Sequence, residues 1–224
     1  MIHIIPAAGP DFIDENNTVK FEKKIRNITL FHHTILSRAW RKDGDCYIFV
    51  FYDHAETRRF ARELISCFNN IKCMFINHYT NGAADTVLSA CGLVEPNSPI
   101  CVDLGDIIIH DKIGQAEIFS QLKKNDATVL TFESLDPKYS YVKVNKEKIV
   151  LAKEKIVISN RASAGVYFFK NRKTLLQSMY ECLDDKKYTL EGINFVCPLV
   201  NAFSDASEIQ VKRTEDIKDL DILN

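Results

Sequence analysis

The chain has 224 residues, 46% of them hydrophobic, and its 29 Lys and Arg nearly cancel its 30 Asp and Glu. That apolar share excludes wholesale disorder and permits a sizeable core. The absence of a basic excess argues against a nucleic-acid binder but leaves small anionic substrates open.

No apolar run approaches the roughly 20 residues a membrane span needs, so no membrane insertion is expected. Met1–Pro6 lacks the basic start of a signal peptide. The seven cysteines form no C-x-x-C pair and sit mostly in apolar runs, which fits a reduced, cytoplasmic protein. Met1–Ile5 reads as a first buried strand, followed by the small-residue loop Pro6–Pro10. Asp11–Asn27 is polar and mixed in charge and reads as a long loop. Leu30, Phe31, Ile35, Ala39 and Trp40 recur at helical spacing behind Asn27, which suits an N-cap, so a helix is predicted there. Cys46–Tyr52 is a second strand, Ala55–Phe68 an amphipathic helix, Lys72–Ile76 a third strand and Ala84–Leu93 a third helix. Later, helices are expected near Ile113–Lys124, Thr174–Leu183 and Ile193–Phe203. Strands are expected at Thr128–Phe132, Tyr141–Asn145, Ile149–Ala152 and Ala164–Phe169. Alternating strand and helix implies a mostly parallel sheet with helices on both faces. No repeat or linker interrupts the chain, so residues 1–224 are expected to form one domain.

Ser98–Ile109 is the organising stretch, an apolar run that meets Asp103, Gly105 and Asp106 and then turns apolar again. A carboxylate is costly inside a doubly buried strand, so Asp106 is expected where the strand emerges. Ligands bind at such strand ends in open α/β sheets, and an aspartate there can hold a metal. An Asx turn ending the strand is the plainer alternative. The spacing of Asp103 and Asp106 puts them on opposite faces of an extended strand, leaving Asp103 secondary or structural. Ala7-Ala8-Gly9 has the character of a phosphate-cradling loop. His32 and His33 are adjacent and suit no shared metal, while His78 and His110 fall near the expected cleft.

Taken together, Ile4–Gly9, Gly82–Leu88, Val102–Asp106, Asp136–Val142, Lys153–Lys155, Ala162–Phe169 and Phe195–Asn201 resemble, in order, segments of the sugar-phosphate nucleotidyltransferases, and in particular a capsule-associated branch. The resemblance covers about two thirds of the chain. It implies a Rossmann-like fold of the GT-A kind. It also implies a reaction joining a nucleoside triphosphate to a sugar 1-phosphate, or to an atypical phosphorylated acceptor such as phosphoglutamine, with release of pyrophosphate. By the same resemblance Ala7, Ala8, Gly9, Gly82 and Ala83 contact the nucleotide, and Asp106 holds Mg²⁺. Gly105, Glu154 and Gly165 meet the acceptor, and Lys155 pairs with its phosphate. Self-association is left open. Glu154 and Lys155 read equally as a solvated strand-end pair, and Gly165 as a plain strand glycine.

The sequence departs from that family in the first loop. Pro10-Asp11-Phe12-Ile13-Asp14-Glu15 stands where cations that grip the triphosphate are expected. Lys20, Lys23, Lys24 and Arg26 follow, and Lys20 is taken as the catalytic substitute, on a segment expected to order around the phosphates; an ordinary solvated loop is the plainer alternative. The second metal ligand is assigned to Asp216 in Thr214-Glu215-Asp216, with Asp219 and Asp221 nearby. Two other functions stay open: a GT-A glycosyltransferase using Asp103 and Asp106 together, and a non-catalytic nucleotide-binding homologue.

Overall fold

The structure, a computed structural model, describes residues 1–220, so Asp221 lies outside the described residues. In chain order it forms β1 (Ile2–Ala7), β2 (Lys24–Ile25), β3 (Ile28–Thr29), β4 (Cys46–Tyr52), α1 (Ala55–Cys67), β5 (Ile71–Ile76) and α2 (Ala83–Ala90). Then come β6 (Ile100–Asp103), β7 (Ile107–Ile109), α3 (Gln115–Lys124), β8 (Ala127–Glu133), β9 (Tyr141–Asn145), β10 (Lys148–Lys153), β11 (Arg161–Phe169), α4 (Arg172–Cys182), β12 (Ser207–Gln210) and β13 (Thr214–Asp216). Nine strands share one sheet in the order β10-β9-β11-β6-β1-β4-β5, with β8 also on β11 and β12 on β8. Seven of them (β1, β4, β5, β6, β8, β9 and β12) run one way, and β10 and β11 oppose.

The two-residue period of the strands decides where the helices go. Ile4, Ile48, Val50 and Val102 face one side and bury Ala84 and Val87 of α2 and Leu175 and Met179 of α4. Ile5, Ala7, Phe49 and Phe51 face the other and cover Phe60, Ala61 and Leu64 of α1. Further along that side Cys101, Val166 and Phe168 pack on Ile118 and Leu122 of α3. Helices therefore lie on both faces of a mixed, mostly parallel sheet, as the sequence pattern requires. At the head of α1 the His54 ring accepts the Glu56 N–H at 3.2 Å, and the Thr57 hydroxyl accepts the His54 N–H at 3.2 Å. Two orphan amides are satisfied by this reciprocal cap.

Three expected elements differ. No long helix follows Asn27. Arg26 and Asn27 both adopt positive φ (53° and 64°) and turn β2 into β3, and only one π turn, His32–Leu36, follows. The helical spacing misled because its apolar residues serve three separate clusters. Leu30 packs with Ile25, Ile108 and Ile217, Phe31 and Ile35 with the aromatic face of β4, and Trp40 beneath Phe168. Asp11–Asn27 is not a free loop either, since Phe12, Val19, Phe21 and Ile25 are buried. The late helix shrinks to a 3₁₀ stretch, Cys197–Ala202, with Pro198 in its first turn.

Candidate active site

The carboxyl ends of β1 and β6 open onto a cavity of about 420 Å³, within the range of small-molecule sites. Ala7, Ala8 and Gly9 leave β1 and form one wall, with Gly82 and Ala83 at the start of α2 beside them. Gly82 has φ of 126°, and a Cβ there would stand 2.2 Å from the Asn194 carbonyl oxygen. The close approach that demands this glycine is thus to the protein's own backbone. Asn194 in turn donates to both carboxylate oxygens of Asp85 at 3.2 Å, tying the head of α2 to the segment before Cys197.

Asp103 and Asp106 do not share one strand. β6 ends at Asp103, which is buried and takes Arg38 in a bidentate pair, Nε to Oδ2 at 2.8 Å and Nη2 to Oδ1 at 3.0 Å. Its Oδ1 also accepts the Gly105 N–H at 2.9 Å, and Arg38 Nη1 donates to the Ile107 carbonyl at 3.0 Å. Asp103 therefore shapes the turn that delivers Asp106 to the cavity. Gly105, expected to meet an acceptor, is not among the lining residues. Its φ is 68°, and a Cβ would lie 3.0 Å from the Phe21 ring, so it is glycine to admit Phe21 and a left-handed turn.

Phe21 is buried among Phe12, Phe31, Phe49 and Phe60, and it carries its neighbour Lys20 over the cavity. Lys20 Nζ reaches Asp106 Oδ1 at 2.5 Å and lies 4.0 Å from Asp11. Burial pulls the Lys20 ammonium down, but the charge and hydrogen bond of Asp106 outweigh it and hold the group above its ordinary value. Of the other basic residues of this segment, Lys23 pairs with Asp14 at 2.7 Å and Arg26 with Glu215 at 3.5 Å, and Lys24 is exposed outside the cavity.

Asp216 arrives from the far end of the chain. β13 runs antiparallel to β7 with Asp216 opposite Ile107, and the Ile217 N–H donates to the Asp106 carbonyl at 3.2 Å. The Asp216 carboxylate accepts the Tyr139 hydroxyl and lies 3.2 Å from Lys138 Nζ. Burial, joined by that bond to Asp216, pushes the Tyr139 phenol well above its usual value. Among the described residues no three His, Cys, Asp or Glu side chains form a ready metal cage. Mg²⁺ does not need one, since it is commonly held by one or two carboxylates with water and substrate phosphates. Asp106 and Asp216 fit that donor set, and each now carries a lysine ammonium as stand-in cation.

Also lining the cavity, Glu154 follows β10 and accepts the Ser140 hydroxyl. Burial pushes its carboxyl up, against the opposing pull of Ser140 and Lys155. Lys155, with φ of 51°, holds its ammonium 5.6 Å over the Phe195 ring. Gly165 sits at the bulge of β11 with φ of 71°, and its nearest neighbour, Leu104, is at ordinary contact, so conformation and not space requires glycine. Lys138, Tyr139, Ser140, Phe195 and Lys218 also line the cavity, and sequence reasoning gave them no role. A Lys-Tyr-Ser run between two predicted strands was the available signal. His78 and His110 are not lining residues, and His110 pairs instead with Glu215 at 2.6 Å.

No protein-family model matches the chain, and no curated protein matches it. Among solved structures it is similar to the nucleoside-diphosphate-sugar pyrophosphorylase from Vibrio cholerae RC9, with a TM-score of 0.81, 21% identity, and 96% of this chain and 95% of that one covered. It is also similar to a putative glucose-1-phosphate thymidylyltransferase from Bacillus anthracis in complex with a sucrose. There the TM-score is 0.72, with 15% identity over 96% of this chain and 89% of that one. At these identities the likeness carries the fold, which is the Rossmann-like one of such nucleotidyltransferases.

Proposed function

We propose that the chain is a nucleotidyltransferase of the pyrophosphorylase type. It joins CTP or another nucleoside triphosphate to a phosphorylated acceptor and releases pyrophosphate, in capsule or surface-glycan synthesis. The acceptor is a sugar 1-phosphate or an atypical phosphate such as phosphoglutamine. The carrying observation is that one cavity is lined both by Asp106 and Asp216, each paired to a lysine, and by Glu154 and Lys155. Nucleotidyl transfer asks mainly for positioning and charge neutralisation, and those groups supply both. Asp106 and Asp216 would hold Mg²⁺, which supplies neutralising charge to the triphosphate when bound. Lys20 faces the phosphates, and Ala7–Gly9 with Gly82 and Ala83 bound the nucleotide. Glu154 accepts acceptor hydroxyls, Lys155 pairs with the acceptor phosphate, and Gly165 lets the acceptor approach the backbone. In this reading residues 1–224 act as one cytoplasmic domain without nucleic acid or membrane, and light scattering decides whether it self-associates.

A glycosyltransferase that used Asp103 and Asp106 together is disfavoured, because both Asp103 oxygens are taken by buried Arg38. Incubation with Mg²⁺, each triphosphate and a panel of phosphorylated acceptors, followed for pyrophosphate, tests the proposal. Pyrophosphate from one pairing is the expected result. Triphosphate binding without turnover on any pairing would favour the binding-only homologue.

A further inference from the structure

The first loop supplies Asp11 where a triphosphate wants a cation, and Lys20 is a single positive charge facing three phosphates. A second lysine also pairs with a carboxylate that lines the cavity. Lys138 comes from the β8–β9 connection, and its Nζ lies 3.2 Å from Asp216, as Lys20 Nζ lies 2.5 Å from Asp106. We propose that Lys138 is the second phosphate-facing cation of this site, and that Lys138 and Lys20 serve as internal counter-ions to Asp216 and Asp106 until a divalent cation takes those carboxylates. The inference rests on the nucleotidyltransferase reading.

Two carboxylates turned into one cavity repel each other unless a positive charge answers each. A divalent ion is the stronger counter-ion, and its arrival leaves both ammoniums short of a partner. The backbone of each lysine is anchored beside the cavity, which keeps its ammonium within reach. Lys20 is fixed through its N–H to the Phe12 carbonyl at 2.7 Å and through buried Phe21. Lys138 is fixed through its N–H to Asp136 Oδ1 at 3.0 Å and through Tyr139, whose ring packs edge-on to Phe132 at 5.0 Å. Lys138 Nζ also touches Asp219 at 2.8 Å and lies 3.6 Å from Asp136. Those carboxylates are half-exposed or more, and such pairs hold weakly in water, so a phosphate oxygen can replace them.

The test uses the full chain and two measurements on each variant. The first is Mn²⁺ affinity without nucleotide, by electron paramagnetic resonance. The second is triphosphate affinity at saturating Mn²⁺, by calorimetry. Lys138→Met should bind Mn²⁺ alone about threefold tighter or more, because a competing cation is gone, and triphosphate about tenfold more weakly. Lys138→Arg should keep both within about threefold of the parent, since it preserves the charge. The opposed directions are the diagnostic, because a merely structural lysine would move both affinities down together. Both falling, or neither changing, overturns the inference and leaves the proposed function standing. A parent protein that binds no triphosphate of any base overturns the proposed function itself, and the phosphate role of Lys138 with it.

Discussion

Asp103 and Asp106 show how two identical side chains, three positions apart, take opposite work. Asp106 is about one-third exposed and among the described residues its carboxylate meets only Lys20, whereas Asp103 has both oxygens committed to a buried guanidinium. Asp106→Asn should therefore abolish turnover with little change in a denaturation midpoint. Asp103→Asn should cost about 3 kcal/mol of stability, because it leaves Arg38 a buried and poorly compensated charge. Equal midpoints for the two variants would contradict this division. The place of Asp106 beyond an apolar strand put it at the strand end, where it lines the cavity, but nothing in the sequence linked Asp103 to Arg38, a long-range partner. A second buried polar group sets a pH dependence. His3 stacks on Tyr47 with centroids 4.3 Å apart and lies 3.1 Å from Asp45 at the opposite end of β1 from the cavity. Burial, outweighing Asp45, lowers its readiness to take a proton below the ordinary value of 6.5. The unfolded chain then binds that proton first. Stability is whole above pH 6.5 and falls as pH drops through it toward the folded value, by up to about 1.4 kcal/mol per unit. Urea melts from pH 8 to 5 should show this slope in the parent and a shallower one in His3→Gln.

At the scale of elements, the segment between β1 and β4 decides whether the site is furnished. The polar, uneven composition of its first part, Asp11–Asn27, reads as loop, and four anchors scattered through that part, Phe12, Val19, Phe21 and Ile25, follow no single period. Their partners lie on β4, β7 and α1, which no local window reveals. The turn at Arg26-Asn27 was the legible clue, since an asparagine tolerates positive φ in a two-residue hairpin. Strands and helices around α1 and α2 were readable because each has one strong period and one packing face. Phe21 links this segment to function. Phe21→Leu keeps apolar bulk and should cost about 1–2 kcal/mol. It should also loosen the tether of Lys20 and weaken triphosphate binding severalfold. Unchanged binding in a folded Phe21→Leu protein would show that Lys20 is held by other contacts.

Across the whole molecule, the fold gathers residues from Pro6 to Lys218 around one cavity, which is why colinear short motifs spoke more clearly than any one of them. Direction of the strands does the gathering, because β1 and β6 end on the same edge and β13 is drawn to that edge by β7. The hub is β11. It pairs with β6 through Val166–Phe169, with β8 at both ends, and with β9 at Ala162, changing register at the Gly165 bulge. For a nascent chain this has a consequence. When residue 160 has been added, β8 lacks both of its partners, β9 has only β10, and β6 offers an open edge of apolar residues. Such an edge is a template for pairing between molecules. A polypeptide ending at residue 160 should therefore form large particles in light scattering at concentrations where the full chain does not. On the ribosome, those strands must wait for β11 to leave the exit tunnel before the sheet can close.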